Sequence, residues 1–74
     1  MTQDKKPVVA VIGLGSMGMG MARSLLNAGF EVHGFDVSEA ALADFEASGG
    51  KPARSPAVAA ADAGIVVVVV VNAQ

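Results

Sequence analysis

The feature that most constrains this chain is a set of three glycines between a short β-branched run and a stretch of good helix formers. Residues 7–12 form the run, and Gly13, Gly15 and Gly18 follow it with the spacing G-x-G-x-x-G. The run suits a strand that is buried on both faces of a parallel sheet. The first glycine then permits a tight turn, the second lets the backbone approach a phosphate, and the third lets a helix pack closely on the strand. The pattern therefore predicts a loop that cradles phosphate groups.

The predicted loop needs no cationic side chain to hold an anion. The unpaired backbone N–H groups at the start of the helix, around Ser16 and Met17, and the positive end of the helix dipole stabilise negative charge. We therefore expect the phosphates of a dinucleotide to lie on this helix N-terminus. The residues expected to contact them are Gly13, Leu14, Gly15, Ser16, Met17 and Gly18.

After the loop the chain alternates between helix and strand patterns. Gly29 suits a helix end, Ser38 can cap the next helix, and Ser55-Pro56 is a typical helix start. Pro52 restricts a short strand there to an edge or to the first position. The predicted elements are a strand at 7–12, a helix at 17–28, a strand at 31–35, a helix at 40–47, a short strand at 51–54, a helix at 57–63 and a strand at 65–71.

This order of elements predicts an α/β fold with one parallel sheet, because right-handed crossovers place each helix on a face of the sheet. We expect the spatial strand order 3-2-1-4. The last strand, an isoleucine followed by six valines, has the composition of a fully buried central strand. Without a further neighbour its outer edge would promote aggregation. We therefore expect residues 1–74 to be the front half of a larger domain, or another chain to cover that edge.

Composition argues against several classes of function. The five Lys and Arg residues are scattered and the net charge is -2, so no basic stripe is present to hold a nucleic acid. The apolar run at 65–71 is far shorter than the roughly 20 residues of a membrane-spanning helix. The chain has no cysteine, which excludes disulfides and thiolate metal sites, and we predict no metal site. The polar N-terminus lacks the pattern of a secretory signal, so we expect a cytoplasmic protein.

An acidic residue lies where a dinucleotide site would need it. Asp36 is 18 residues after Gly18, at the end of the second predicted strand, where a carboxylate can accept hydrogen bonds from both adenosine ribose hydroxyls. It would repel a 2′-phosphate, and Val37 offers no guanidinium to attract one, which favours NAD over NADP. The alternative is a turn residue before a helix. Together the loop and Asp36 predict a Rossmann-type domain that binds NAD.

Other residues give weaker signals. His33 alternates with neighbours along a strand, which favours a packed or solvent-facing position over catalysis. Met17, Met19 and Met21 are expected to fill gaps between helix and sheet, apart from the backbone of Met17. Asn72 follows the last strand at the carboxyl end, where open parallel sheets bind ligands, or it simply ends the strand.

Residues 13–22, with the sequence G-L-G-S-M-G-M-G-M-A, resemble the opening of the β-hydroxyacid dehydrogenase family, which includes 3-hydroxyisobutyrate and 6-phosphogluconate dehydrogenases. The resemblance covers nearly the whole chain. Gly34-Phe35-Asp36 and Val70-Val71-Asn72-Ala73 look closest to its L-threonate dehydrogenase-like branch. Many members have Asn-Arg where this chain has Asp36-Val37, a departure that supports NAD.

The resemblance implies further properties of the protein. Val71, Asn72 and Ala73 would line the cofactor near its central riboses. The substrate loop, a catalytic lysine and an all-helical second domain would lie beyond Gln74, so no catalytic residue is assigned here and these residues alone should be inactive. The parent enzyme would transfer hydride between NAD and a small hydroxy acid and would form a homo-oligomer.

Two alternatives to a dehydrogenase segment follow from the same loop. One is a free-standing nucleotide-binding or regulatory module without catalysis. The other is a different ligand, such as FAD or S-adenosylmethionine, because glycine-rich loops after a first strand also serve those. Fold analogy alone does not separate them.

Overall fold

The computed structural model describes residues 6–69 as alternating strands and helices. The four strands form one parallel sheet in the order β3-β2-β1-β4, which confirms the predicted α/β fold and strand order. The elements in chain order are β1 Val8–Ile12, α1 Ser16–Asn27, β2 Glu31–Phe35, α2 Glu39–Ala47, β3 Lys51–Pro52, α3 Pro56–Ala60 and β4 Ile65–Val68.

β1 is the central strand, with β2 on one side and β4 on the other. Its three middle residues Val9, Ala10 and Val11 are buried, as expected for a strand covered on both faces. Side chains alternate between the faces of a strand, so Val9 and Val11 share one face and Ala10 takes the other. Val9 and Val11 pack with α1 and α2 residues in one core cluster, whereas α3, with buried Ala59, contacts β1 and β2.

The centre of the core is Phe45 on α2, the largest fully buried side chain. Its ring occupies the space that side chains on two neighbouring glycines would need. A Cβ on Gly34 of β2 would lie 2.7 Å from Phe45 Cε2, and a Cβ on Gly50 would overlap the same ring. Full burial of such a ring stabilises the fold by roughly 2–3 kcal/mol. The two glycines therefore let α2 approach the sheet closely.

The predicted helix boundaries are mostly confirmed. Ser38 caps α2 by accepting a hydrogen bond from the Ala41 N–H at 3.2 Å. Ser55 caps α3 in the same way, from the Val58 N–H at 3.1 Å. Three elements end two or more residues earlier than predicted: β3 at Pro52, α3 at Ala60 and β4 at Val68. Of the described residues, no helix has the length and apolarity needed to cross a membrane.

The prediction that the last strand is fully buried is wrong for the residues that the structure describes. Ile65, Val66 and Val68 of β4 are between 46% and 62% exposed. Within residues 6–69, β4 has β1 as its neighbour on one side and lies at the edge of the sheet on the other. An edge strand keeps buried only those side chains that reach the core, as half-buried Val67 does.

The expectation that the three helix methionines are mostly core residues is also wrong. Met19 is 8% exposed, but Met17 is 73% and Met21 is 40% exposed. In a helix, residues three or four apart share a face, so Met19 faces the sheet together with Ala22. Met17 and Met21 form a separate pair on the outward face.

His33 lies on β2 in a surface ion-pair cluster. Its Nε2 is 2.7 Å from Glu31 Oε2, and Lys51 Nζ on neighbouring β3 is 3.1 Å from the same oxygen. The hydrogen bond from His33, then that from Lys51 and the Lys51 charge, lower the pKa of Glu31. Glu31 therefore links β2 to β3 through Lys51, and His33 pairs with Glu31 within β2, consistent with the packed or solvent-facing position expected for it.

The contact between Gly34 and Phe45 predicts a large effect of a small substitution. Gly34→Ala is expected to lower the free energy of unfolding by about 2 kcal/mol, because the added methyl group displaces the Phe45 ring. Urea unfolding followed by circular dichroism measures the change. In a Phe45→Leu background, where the ring is gone, the same substitution should lower the free energy of unfolding by less. An equal cost in both backgrounds would contradict the contact.

Candidate functional site

The glycine loop begins directly after β1 with a turn that only glycine accepts readily. Gly13 has a φ of +101°, a region that side chains disfavour. A Cβ there would also lie 2.6 Å from the carbonyl oxygen of Val69, beyond β4. The Gly13 N–H donates to the Phe35 carbonyl at the end of β2, at 2.8 Å. The loop is thus held between the carboxyl ends of β2 and β4. Gly13 makes the tight turn that the sequence predicts at this point.

The second glycine begins the helix. Gly15 is the N-cap of α1, with φ −69° and ψ −170°, and no side chain caps this helix end. The first hydrogen bond of the helix runs from the Met19 N–H to the Gly15 carbonyl at 2.7 Å. The N–H groups of Ser16, Met17 and Gly18 come before that bond and have no acceptor within the helix. Such groups, together with the helix dipole, suit an anion.

The third glycine sets how closely α1 lies on the loop. A Cβ on Gly18 would overlap the carbonyl oxygen of Gly13 and would lie 3.7 Å from Val69 Cγ2. The helix therefore packs directly on the loop backbone, which is the geometry that the third position of the motif predicts.

Asp36 is brought to the loop because β1 and β2 pair in parallel. Ile12 pairs with Phe35, so the residues that follow each of them lie side by side. Asp36 Oδ2 accepts a hydrogen bond from the Leu14 N–H at 2.6 Å, and Oδ1 accepts one from the Ser38 N–H at 2.8 Å. The second contact is the turn role considered as the alternative for Asp36. The first, between residues 22 positions apart, was not predicted.

The other predicted site residues divide into three groups. Leu14 offers the loop only its backbone, because its side chain is 2% exposed and belongs to the core. Val37, beside Asp36, is 89% exposed and presents an apolar surface at the rim of the site. The predicted contacts Val71, Asn72 and Ala73 lie outside the described residues. Val69 is described, and its N–H donates to the Ile12 carbonyl at 2.8 Å, so the chain leaves β4 beside the glycine loop.

An open groove adjoins the loop between α1 and α2. It has a volume of about 370 Å³ and is lined by Gly15 and Ser16 at one end and by Arg23 and Asp44 farther along. Arg23 Nε donates to Ser48 Oγ at 3.1 Å, which ties the two helices together. Within the part of the chain that the structure describes, no group of three or more His, Asp or Glu residues could hold a metal ion.

Comparison with protein families gives one match that spans most of the chain. The family is described as the NAD binding domain of 6-phosphogluconate dehydrogenase, and it matches residues 8–74. Among individual proteins, an L-threonate dehydrogenase from Cupriavidus necator is 48% identical over 66 residues. That alignment covers 89% of this chain and 22% of the dehydrogenase. The chain thus spans less than a quarter of the length of this relative.

Solved structures agree with this result. A 3-hydroxyisobutyrate dehydrogenase from Mycobacterium tuberculosis, solved with L-serine, superposes with a TM-score of 0.84 at 36% identity, over 86% of this chain and 22% of that one. An imine reductase from Myxococcus stipitatus, solved with NADP+, gives a TM-score of 0.84 at 26% identity, over 89% and 23% of the two chains. A variant of that reductase, solved with NAD+, gives a TM-score of 0.86 at 27% identity, over 90% of this chain and 23% of that one.

The close packing of Gly18 can be tested by adding one methyl group. Gly18→Ala is expected to lower the free energy of unfolding by about 2 kcal/mol, because α1 must move away from the Gly13 carbonyl. The matched control is Gly20→Ala on the same helix, where a Cβ would meet nothing within 4 Å. The free energy of unfolding of that variant should rise by up to about 1 kcal/mol, because alanine has a better helix propensity than glycine. Urea unfolding of both variants is the measurement, and equal stabilities would refute the packing.

Proposed function

The chain belongs to the NAD-binding domain family of 6-phosphogluconate dehydrogenase, and from this premise we propose that it is the dinucleotide-binding part of an enzyme that transfers hydride between NAD and a small hydroxy acid. The observation that supports this proposal most directly is the loop itself. Its crowded turn at Gly13, its uncapped helix start at Gly15 and the carboxylate of Asp36 meet at one edge of the sheet. Those are the three elements that a dinucleotide site of this kind requires.

The residues present fit the cofactor. The pyrophosphate would lie against the N–H groups of Ser16, Met17 and Gly18, where the bare backbone of Gly15 lets it approach. The adenosine ribose would lie at the end of β2 beside Asp36, which exposed Val37 follows. When bound, NAD supplies the hydride acceptor, and the protein supplies binding and orientation.

The side chains after β2 favour NAD over NADP. The M. stipitatus reductase, with a similar fold, was solved with NADP+ and as a variant with NAD+, so the backbone arrangement alone does not choose between the two cofactors. In this chain the residue that follows β2 is Asp36, which carries a carboxylate, and the next is exposed Val37. A carboxylate accepts hydrogen bonds from free ribose hydroxyls but repels a 2′-phosphate, and valine offers no compensating charge.

The names of the relatives support the substrate class. The C. necator relative is an L-threonate dehydrogenase and the M. tuberculosis neighbour is a 3-hydroxyisobutyrate dehydrogenase. Both names denote oxidation of a small hydroxy acid. We assign substrate binding and a general-base lysine to parts of the enzyme outside residues 1–74, in line with the family resemblance. The role of these residues is then to hold the cofactor in place.

The preference for NAD predicts an unequal effect of removing the carboxylate. Asp36→Ala is expected to weaken NAD+ binding by about tenfold or more, because hydrogen bonds to a charged group are lost. NADP+ binding should weaken less, since the repulsion of its 2′-phosphate is relieved at the same time. Isothermal titration of both cofactors measures the two changes. Equal weakening would argue against a ribose contact.

The close approach of the pyrophosphate predicts loss of binding when Gly15 gains a side chain. The backbone angles of Gly15 are open to any residue, so Gly15→Val introduces no backbone strain. It is nevertheless expected to weaken NAD+ by more than about a hundredfold, because the valine occupies the path of the phosphates. Titration with NAD+, alongside circular dichroism, tests this against Gly20→Ala as the control. Unchanged affinity would show that the phosphates bind elsewhere.

A further inference from the structure

We propose that Asp36 has a second role, as a positioning residue that holds the glycine loop in its phosphate-binding shape through the N–H of Leu14. This inference rests on the proposed dinucleotide function. It differs from ribose recognition because the contact is made by the protein to itself.

The contact has the geometry of a strong hydrogen bond. The Leu14 nitrogen lies 2.6 Å from Asp36 Oδ2 in a partly buried setting. Hydrogen bonds from an N–H to an ionised carboxylate are shorter and roughly twice as strong as those between neutral groups. The Leu14 side chain is anchored in the core beside Gly34, with its Cδ1 3.2 Å from where a Cβ on that glycine would lie. The Leu14 peptide is therefore held from both sides, by its side chain and by its N–H.

The two tethers of the loop lie on consecutive residues. The Gly13 N–H donates to the Phe35 carbonyl and the Leu14 N–H donates to Asp36, so both amides bond to the end of β2. Gly15, which begins α1, follows immediately. The orientation of the Leu14 peptide thus sets the direction in which the chain enters the helix. Loss of the Asp36 tether would leave the Gly13 N–H as the remaining one of these two hydrogen bonds to β2.

The arrangement also explains why a carboxylate is suited to this position. Its second oxygen, Oδ1, accepts from the Ser38 N–H at 2.8 Å, and Ser38 in turn caps α2. Asp36 therefore satisfies two backbone donors with two oxygens. An asparagine has only one carbonyl oxygen and would turn its NH₂ group toward one of those donors. An acidic residue is needed to join the loop and the α2 cap together.

The test separates loop positioning from ribose recognition by using a nucleotide without ribose hydroxyls. ADP and 2′,3′-dideoxy-ADP are titrated into the wild-type protein, Asp36→Ala and Asp36→Asn. We expect Asp36→Ala to weaken the dideoxy nucleotide by about tenfold, because the loop that binds its phosphates is no longer held. Asp36→Asn should show a smaller loss of affinity for the dideoxy nucleotide. Asp62→Ala, in the exposed turn before β4, is the matched control and should change neither affinity.

The outcomes distinguish this inference from the function on which it rests. If Asp36 acts on the hydroxyls alone, Asp36→Ala will weaken ADP and leave dideoxy-ADP unchanged, which overturns the positioning role but keeps the ribose site. If the wild-type protein binds no nucleotide, the proposed function fails instead. Hydrogen exchange of the ligand-free wild type then decides the inference on its own. A Leu14 amide as protected as those within β1 supports the tether, and rapid exchange refutes it.

Discussion

The parallel pairing of β1 with strands on both sides is the constraint from which the rest of the molecule follows. Ile12 pairs with Phe35 on β2 and with Val68 on β4, so three chain segments end at the same edge of the sheet. The turn at Gly13, the carboxylate of Asp36 and the carbonyl of Val69 meet there because of this register. No local preference of the loop could gather groups from such distant parts of the chain.

Close packing around that sheet depends on the absence of side chains at particular points. Phe45 fills the space above Gly34 and Gly50, and α1 lies on the Gly13 carbonyl where Gly18 has no Cβ. The same property of glycine therefore serves both the core and the site. Interiors are packed at the density of organic crystals, so one added methyl group must displace a neighbour.

The electrostatics of the proposed site combine two opposite requirements. The proposed function places an anion at the start of α1, and a carboxylate lies within hydrogen-bond distance of the same loop. Asp36 accepts hydrogen bonds from the Leu14 and Ser38 N–H groups. The N–H groups at the start of α1 are different ones, which come before the first hydrogen bond of that helix. In the proposed function, backbone N–H groups thus hold both the Asp36 carboxylate and the phosphates of the cofactor, and exposed Val37 beside them carries no charge.

The sequence by itself determined the order of the elements, the parallel sheet, the glycine loop and the serine caps of α2 and α3, because each depends on short-range patterns of residue type and spacing. It also indicated that Asp36 belongs to the site. The tertiary structure alone decided that Asp36 bonds to Leu14, that Met19 is buried while Met17 and Met21 are exposed, and that β4 lies at an edge among the described strands. These outcomes depend on which surfaces meet in three dimensions, and composition cannot distinguish a valine or methionine that finds a neighbour from one that does not.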